Sequence, residues 1–375
     1  MGLINIRLGD YIERSTINNK DLKYGFDLIV GVNSQGVFAT PKGNTDGVDL
    51  KPYKIVENGA FVYNPTRLEL GSIAYRTEGL CIVSHLYMVF YLTDEGKKII
   101  DPMWLYIYFR RSEFCREVKF RNFGSQRPEF NFNDMSDIVI PLPDIEIQKK
   151  YVDIYNAMLE NQKSYEYRLE DLKLACDAYI EDLKHGIHCK AIGPYVERHD
   201  VRNRTNEIKN VMGVSTSKEF REPTSKVNRN ELSNYKIVRP RQISFVQTTH
   251  NEKVFAYAFN NTEDDIVVTS VNEVFSVDED KLLPEYLCMF FNRTEFDRYA
   301  RFHSWGSARE TFTWDDLVKV EIPIADMKTQ KSIADIYKAY KERKAINEKL
   351  KAQIKDVCPI LIKGSIEEAR QAKEA

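Results

Sequence analysis

An internal duplication constrains the fold of this chain more than any other feature of its sequence. When the sequence is shifted by 182 residues, residues 53–56 (YKIV) fall on residues 235–238 (YKIV). Further matches at this spacing are Arg111 with Arg293, Gly124-Ser125 with Gly306-Ser307, Ile140-Pro141 with Ile322-Pro323, Gln148 with Gln330, and Cys176 with Cys358. Near the start the spacing is 184, and residues 8–13 fall on residues 192–197. Similarity at a nearly constant spacing predicts two copies of one structural unit, with short insertions in loops.

The first part of each copy has the pattern of a mixed α+β domain. Strand-like runs of β-branched and aromatic residues occupy positions 59–63, 81–84, 243–246 and 266–269. Asp101 followed by Pro102 predicts the start of a helix, with Asp as N-cap and Pro in the first turn; Leu283-Pro284 is its counterpart with a weaker cap. A strand bounded by proline is predicted next, at 137–141 and at 317–323.

The second part of each copy is predicted to be a long helix. In the first copy mostly apolar residues recur at alternating steps of four and three, at positions 151, 155, 158, 162, 165, 169, 172, 176, 179 and 183. The second copy keeps this spacing at Ile336, Tyr340, Arg343, Asn347, Leu350, Ile354, Val357 and Leu361. We call these positions the seam, because this spacing is typical of coiled coils. Gly186 is expected to close the first helix, and Pro359 to kink or end the second.

These patterns predict an α+β fold with a pseudo-twofold repeat. Two tandem globular domains with small β-sheets and helices alternate with two long helices that pack as an antiparallel coiled coil. The predicted boundaries are 1–143 and 187–325 for the globular domains, and 144–186 and 326–375 for the helices. The alternative is that each seam packs on its own globular domain.

The amino-acid composition limits the classes of protein that are possible but does not identify a ligand. The formal net charge is only −2, so any nucleic-acid surface must be local. The six cysteines form no Cys-x-x-Cys pair and fit no zinc motif. The first residues lack the apolar core of a signal peptide, and no apolar run is long enough to span a bilayer. We therefore expect a cytoplasmic protein with reduced thiols and no membrane partner.

The motifs of common catalytic sites are absent from the sequence. It contains no Walker loop, no Gly-x-Gly-x-x-Gly, no His-Glu-x-x-His and no Gly-x-Ser-x-Gly. Residues 64–67 (NPTR) only partly match the Asn-Pro-Pro-aromatic motif of amino-methyltransferases, since the second proline and the aromatic residue are missing. His185, His188 and Cys189 lie close together in sequence, but a role at the end of the helix explains them more simply than a metal site does. We expect a chain without an active site or a cofactor of its own.

The whole pattern resembles the DNA specificity subunits of Type I restriction–modification systems. The resemblance is carried by residues 123–128 (FGSQRP), 130–135 (FNFNDM), 138–143 (IVIPLP) and 146–148 (EIQ), which lead into the first long helix. The second copy repeats this order at 305–307 (WGS), 322–323 (IP) and 330–331 (QK). Tyr63-Asn64 with residues 71–75 (GSIAY) resembles the strand pair inside the recognition domain of the family. The second copy departs from the pattern where Ala308 replaces Gln126 and where Tyr63-Asn64 has no clear equivalent.

The resemblance implies a division of labour between subunits. Each globular domain would be a target-recognition domain that reads one half of a split double-stranded DNA sequence. The helices would set the gap between the halves and dock two copies of a modification subunit, which transfers a methyl group from S-adenosylmethionine to adenine. Restriction subunits, where present, would add ATP- and Mg-dependent translocation and cleavage.

Candidate DNA-binding residues are polar side chains on loops that flank strands. Arg and Lys recognise guanine or phosphate, and Asn and Gln recognise adenine. In the first copy they are Asn64, Arg67, Arg76, Arg121, Asn122, Ser125, Gln126 and Arg127, and in the second copy Lys226, Arg229, Gln247, Thr248, Thr249, His250, Arg301, His303, Ser307 and Arg309. The Gly-Ser-x-Arg loops have a second interpretation, which is to turn the chain towards the helix. A basic cluster also runs from Arg110 to Arg127.

The charged faces of the first long helix leave two functions open. They carry Glu160, Lys163, Glu166, Arg168, Glu170, Asp171 and Lys173. Such residues form solvated ion pairs on many helices, and here they are also candidates for docking a partner enzyme. The rival to a DNA-reading subunit is a protein-interaction scaffold that uses the helices and ignores DNA. A standalone enzyme is disfavoured by the missing motifs.

Overall fold

The computed structural model describes residues 2–41, 43, 47–122, 129–248, 254–304 and 310–374. These residues form two compact units. Unit 1 comprises residues 1–164 and 347–375, and unit 2 comprises residues 165–346. None of the helices in the described ranges is long and apolar enough to cross a lipid bilayer.

Apart from α1, the two copies have the same order of elements in the described ranges. The first copy contains β1 (Ile4–Arg7), β2 (Ile12–Ser15), β3 (Gly31–Val32), β4 (Phe38–Ala39), β5 (Lys54–Val56), β6 (Phe61–Tyr63), β7 (Ile73–Tyr75), β8 (Cys81–Val83), β9 (Met88–Leu92), α1 (Asp94–Ile99), α2 (Pro102–Phe109), α3 (Ser112–Arg121), α4 (Phe132–Ser136), β10 (Val139–Leu142) and α5 (Ile145–Gly186). The second copy contains β11 (Cys189–Ala191), β12 (Val196–His199), β13 (Gly213–Val214), β14 (Phe220–Arg221), β15 (Lys236–Val238), β16 (Ile243–Val246), β17 (Tyr257–Phe259), β18 (Ile266–Val268), β19 (Asn272–Val277), α6 (Pro284–Asn292), α7 (Thr294–Phe302), α8 (Trp314–Leu317), β20 (Glu321–Pro323) and α9 (Met327–Glu374).

Sheet topology confirms the duplication. Unit 1 has a four-stranded antiparallel sheet in the order β2-β9-β6-β7, and unit 2 has the same sheet in the order β12-β19-β16-β17. Three two-stranded pairs accompany each sheet, and they also correspond: β1-β10, β3-β4 and β5-β8 in unit 1, and β11-β20, β13-β14 and β15-β18 in unit 2. The four strand-like runs all form strands, with ends within two residues of those predicted. The predicted strand 317–323 is shorter than expected, because Leu317 ends helix α8.

Helix caps follow the local sequence. Asp101 caps α2, and its carboxylate accepts hydrogen bonds from the backbone N–H groups of Met103 and Trp104 at 2.8 and 3.1 Å. Leu283 before α6 makes no side-chain cap, as predicted. The short helices α4 and α8 each begin with a capping box, made by Asn131 with Asp134 in unit 1 and by Thr313 with Asp316 in unit 2.

A buried glutamine fixes the start of each long helix. Gln148 Nε2 donates to the carbonyls of Ile99 and Pro143, both at 2.8 Å, and its Oε1 accepts from the N–H of Asp101 at 2.8 Å. Gln330 makes the same three bonds in unit 2, to Lys281, Ala325 and Leu283, at 2.8–2.9 Å. Since both side chains are fully buried and satisfied, the match between Gln148 and Gln330 in the sequence reflects a structural lock.

Both long helices contribute to both units. In unit 1 the start of α5 packs against the end of α9, with Lys150 Nζ 2.8 Å from Glu368 Oε2 and Gln162 Nε2 2.8 Å from Asn347 Oδ1. This order of contacts is antiparallel, as the seam predicts. Seam residues also lie in the globular cores, since Tyr155, Ile354 and Leu361 belong to the main core of unit 1 and Cys176 belongs to that of unit 2. The long helices therefore pack on each other, as predicted for a coiled coil, and also on the globular parts, as the alternative predicted. Each compact unit contains segments of both long helices together with one globular part.

Pro359 does not end the second helix. Helix α9 continues through it to Glu374, so the expectation of a helix end there is wrong. Proline inside a helix costs about 3 kcal/mol, because it removes a backbone hydrogen bond and crowds the preceding turn. The neighbouring side chains of Cys358, Leu361 and Ile362 are all buried in the core of unit 1, and this burial offsets the cost.

Candidate nucleic-acid interface

In unit 1 the polar end of strand β6 lies beside the segment that follows the Gly-Ser loop. The N–H of Phe130 donates to the carbonyl of Pro65 at 3.1 Å, which brings the chain that follows residues 123–128 back to the strand end. Asn64 is held there as well, because its Oδ1 accepts from the N–H and the hydroxyl of Thr66 at 3.1 and 2.9 Å. Arg67, two residues beyond Pro65, is exposed. Asn64 and Arg67 are therefore brought together.

Unit 2 repeats this junction with different side chains. The N–H of Phe312 donates to the carbonyl of Gln247 at 2.8 Å, and Thr248 pairs with Thr311 in an isolated antiparallel bridge. Gln247 and Thr248 are thus brought together beside the chain that follows residues 305–309. The side-chain amide of Gln247 donates to the carboxylate of Glu273, which fixes the orientation of the amide. Gln247 therefore stays a candidate for an amide contact with adenine.

The last turns of α3 and α7 lead directly into the Gly-Ser loops. Arg121 ends α3 and is paired with Glu117 at 2.8 Å. Its counterpart His303 follows α7, with its ring 4.3 Å from the ring of Tyr299. Arg301 is exposed in the last turn of α7. These three candidates lie at equivalent helix ends in the two units, and their contact with phosphate stays a prediction.

Other candidates lie away from these junctions or outside the described residues. Arg76 is at the opposite end of the β6-β7 pair from Asn64; its Nη2 donates to the carbonyl of Leu80 at 3.5 Å, and its guanidinium lies over the ring of Phe38. Lys226 and Arg229 are exposed between β14 and β15. Seven candidates lie outside the described residues: Ser125, Gln126, Arg127, Thr249, His250, Ser307 and Arg309.

The predicted basic cluster is not a continuous surface. Arg110 is buried, and its Nη1 donates to the carbonyl of Gly71 at 2.5 Å. Arg111 lies over the ring of Tyr108, 3.7 Å from its centroid. Arg110 therefore stabilises the fold of unit 1, whereas Arg116, Lys119 and Arg121 of this cluster are exposed.

Sequence reasoning missed a group of charged residues next to these strand ends. In unit 2, Arg198 on β12 and Lys236 on β15 surround Glu273 on β19, which is only 3% exposed. The hydrogen bond to Glu273 raises the pKa of Arg198 above its ordinary value. In unit 1, burial and then the nearby charge of Arg14 lower the pKa of Lys54. Arg14 matches Arg198 at a spacing of 184 and Lys54 matches Lys236 at 182, and this coincidence was the available signal.

Two exposed phenylalanines were also missed. Phe120 and Phe302 are 182 residues apart, each is 81% exposed, and each stands in the last turn of the helix before a Gly-Ser loop. The charged faces of α5 are exposed as well, apart from the half-buried Lys173, so partner docking there stays a prediction. Within the described ranges, no three His, Cys, Asp or Glu side chains are grouped as metal ligands.

Comparison with known proteins places the chain in a family. Residues 3–170 and 194–356 each match the Type I restriction modification DNA specificity domain. The chain belongs to this family of specificity subunits, which are non-catalytic and serve DNA target recognition. The family resemblance and the predicted α+β fold with two tandem domains are thereby confirmed.

One solved structure supports the fold, and a second is similar to this chain at a lower TM-score. The S subunit of a Type I restriction–modification system from M. genitalium is 10% identical, with a TM-score of 0.61 over 97% of this chain and 96% of that one. The HsdS subunit from Thermoanaerobacter tengcongensis is 16% identical, with a TM-score of 0.40 over 97% of this chain and 96% of that one. No curated protein matches the sequence.

Proposed function

We propose that each unit reads one half of a split double-stranded DNA target and that the chain delivers an adenine methyltransferase to it. One observation carries this proposal. Both units bring a polar strand end beside the chain that follows the Gly-Ser loop, through the same backbone hydrogen bond, while the side chains differ. Asn64, Thr66 and Arg67 occupy this place in unit 1, and Gln247 and Thr248 in unit 2. A shared scaffold with different polar groups is what two different half-sites require.

The partners and cofactors follow from the family. Two copies of a modification subunit would dock on the exposed charged faces of α5 and the corresponding faces of α9. S-adenosylmethionine would be bound by that subunit, and ATP and Mg by restriction subunits where these are present. The present chain would hold none of them and would act in the cytoplasm, where its DNA is found.

The decisive experiment combines methylation sequencing with a domain exchange. Sequencing methylated adenines in the native genome should reveal a bipartite target. Replacing residues 1–150 by those of another family member should then change only one half of that target. A change in both halves, or in neither, would contradict the proposal.

The long helices are proposed to set the spacing of the two half-sites. Inserting whole helical turns into α5 or α9 should widen the gap in the methylated sequence, since each residue adds about 1.5 Å of helix. A gap of unchanged length after insertion would exclude this role.

The rival function, a scaffold that ignores DNA, is separated by binding at varied salt. A DNA-reading subunit, assayed with its modification subunit, should bind DNA more weakly as salt rises, because phosphate contacts release counterions. Absence of DNA binding at every salt concentration would favour the scaffold. Methylation by the purified chain alone would revive an enzymatic function.

A further inference from the structure

The two units differ in charge at the same corner of their four-stranded sheets. In unit 2 the corner holds a carboxylate between two cations. Arg198 Nε and Nη2 donate to the two oxygens of Glu273 at 2.8 and 2.7 Å, and Lys236 Nζ lies 3.6 Å from Glu273 Oε2. Lys236 is also 3.4 Å from Asp200 Oδ1. Glu273 and Asp200, which also pairs with Arg202 at 2.8 Å, therefore supply counter-charges from within unit 2.

Unit 1 keeps both cations but not the carboxylate. Arg14 stands opposite Phe90 as Arg198 stands opposite Phe275, and Lys54 begins β5 as Lys236 begins β15. The place of Glu273, opposite Phe245 on the neighbouring strand, is taken in unit 1 by Met88, opposite Tyr63. These strand pairings show that Met88 is the structural equivalent of Glu273.

Arg14 and Lys54 form no ion pair with a carboxylate in the described part of unit 1. Lys54 is 9% exposed and its Nζ donates to the carbonyl of Tyr87 at 2.5 Å, which satisfies a proton but not a charge. Among the residues that the structure describes, no carboxylate lies within 4.0 Å of Lys54 or of the exposed Arg14. A nearly buried cation without a counter-ion is costly, and an external anion would remove that cost.

A second difference between the units also gives unit 1 more donors relative to acceptors at this corner. Tyr63 in unit 1 replaces Phe245 of unit 2, and its buried hydroxyl has no hydrogen-bond partner in the described part of the chain. Burial and, after it, the nearby charge of Asp134 raise the pKa of Tyr63. The carboxylate of Asp134 accepts a hydrogen bond from the backbone N–H of Asn131 at 2.9 Å. Asp316 holds the equivalent place in unit 2. Relative to unit 2, unit 1 therefore lacks the carboxylate of Glu273 and has an additional buried donor, the hydroxyl of Tyr63.

The corner adjoins the candidate DNA-reading junction, since Tyr63 is followed directly by Asn64. We propose that Arg14 and Lys54 bind a backbone phosphate of the half-site read by unit 1, and that Glu273 fills the corresponding position in unit 2. This inference rests on the proposed function, because it assumes DNA at the junction. It makes unit 1 the more dependent of the two units on phosphate at this corner, and hence on salt.

The test places the carboxylate of unit 2 into unit 1. Met88→Glu is compared with Met88→Gln, which has the same shape without the charge, in the full chain with its modification subunit and a duplex carrying the methylated target. Met88→Glu should pair with Arg14 and Lys54, so the melting temperature should be maintained or raised while DNA binding weakens. The slope of log K against log salt should become less steep by about one. Met88→Gln should leave both DNA binding and its salt slope unchanged.

Reciprocal and charge-removing variants guard against a folding defect. Glu273→Met should make the salt slope steeper by about one, because it opens the equivalent position in unit 2. If Met88→Glu does not fold, Lys54→Gln and Arg14→Gln carry the test, and each should flatten the slope, whereas Arg198→Gln should not. Equal affinity and slope for Met88→Glu and Met88→Gln would overturn the inference, as would unchanged slopes for Lys54→Gln and Arg14→Gln.

Two further outcomes separate the possible failures. Inorganic phosphate alone, added without DNA, distinguishes a free anion from the DNA backbone. If phosphate raises the melting temperature of the parent protein but not of Met88→Glu, while DNA binding is equal in both, the site takes free phosphate and the inference is wrong. If the parent complex shows no salt-dependent DNA binding, the proposed function itself fails. If the parent complex shows salt-dependent DNA binding and Met88→Glu binds DNA as the parent does, only the phosphate site is rejected.

Discussion

Gln162 and Asn347 are joined by a buried hydrogen bond between the two long helices of unit 1, with Nε2 of Gln162 2.8 Å from Oδ1 of Asn347. Both residues occupy seam positions and both are buried. A polar pair in an otherwise apolar seam lowers stability relative to leucine but fixes which residues face each other.

Replacing one member of this pair should cost more than replacing both. Gln162→Leu or Asn347→Leu breaks this buried hydrogen bond and should lower the free energy of unfolding by about 1–3 kcal/mol. The double variant removes both amides and should recover most of that loss. Thermal unfolding of the four proteins measures the coupling. Additive losses would show that the hydrogen bond does not couple the two side chains.

Unit 1 should need the end of the chain. Its core includes Ile354, Cys358, Leu361 and Ile362. A chain that stops after Ile346 should lose hydrogen-exchange protection in β6 and β9 while β16 and β19 of unit 2 keep theirs. Removing only residues 373–375 is the control and should change nothing. Full protection of β6 and β9 in the shorter chain would contradict this assignment of the core.

Gly36 should not tolerate a side chain. Its φ is +76°, and a Cβ built on it would lie 2.5 Å from Nη1 of the buried Arg110. Gly36→Ala should therefore destabilise the chain by about 1–3 kcal/mol. Gly186→Ala is the matched control, since a Cβ there has open space, and it should be neutral or slightly stabilising. Equal melting temperatures for the two variants would contradict the strain at Gly36.

Gln247 should contribute to base discrimination in unit 2. Gln247→Ala should relax the preference at one position of one half-site, by about 1–3 kcal/mol, because a bidentate amide contact is lost. Gln242→Ala, at the opposite end of the same strand, is the control and should leave the target unchanged. Methylated-adenine sequencing of both variants reads the result. An unaltered target in Gln247→Ala would remove this residue from the base-reading set.

Acid should weaken unit 2 through Glu181. Hydrogen bonding to Arg293, the largest cause, lowers the pKa of Glu181 below its ordinary value of 4.5. A depressed carboxylate pKa gives stability that is present above the ordinary value and is lost as the pH falls through the folded-state value. Glu181→Gln should therefore lower the melting temperature near neutral pH and reduce its fall in acid. The exposed neighbour Asp182, changed to Asn, should do neither.

Local patterns predicted the elements well because their causes are local. The cap at Asp101, the four strand-like runs and the end of α5 at Gly186 depend on residues within one turn or one strand. The match of Gln148 with Gln330 indicated a shared role. The role itself, hydrogen bonding to three backbone groups, is visible only in the three-dimensional structure. The repeat spacing predicted equivalent sheets because duplicated cores fold alike.

Long-range burial explains what the sequence did not reveal. Arg110 belongs to a run of basic residues, yet its guanidinium is enclosed by Gly36 and Gly71, which are distant in sequence. Pro359 was expected to end its helix, but packing of the adjacent residues into unit 1 overrides that preference. Arg14 and Lys54 are 40 residues apart in sequence, and the place of Met88 beside the strand of Arg14 follows from strand pairing, which linear order does not reveal.

Because unit 1 takes its core from residues 1–164 and from residues 347–375, it cannot be completed during synthesis until the last helix has left the ribosome. Unit 2, made only of residues 165–346, has all of its parts earlier. The half that is translated first is therefore expected to finish folding last, and until then its exposed apolar surface makes it the part of the nascent chain most in need of chaperone protection.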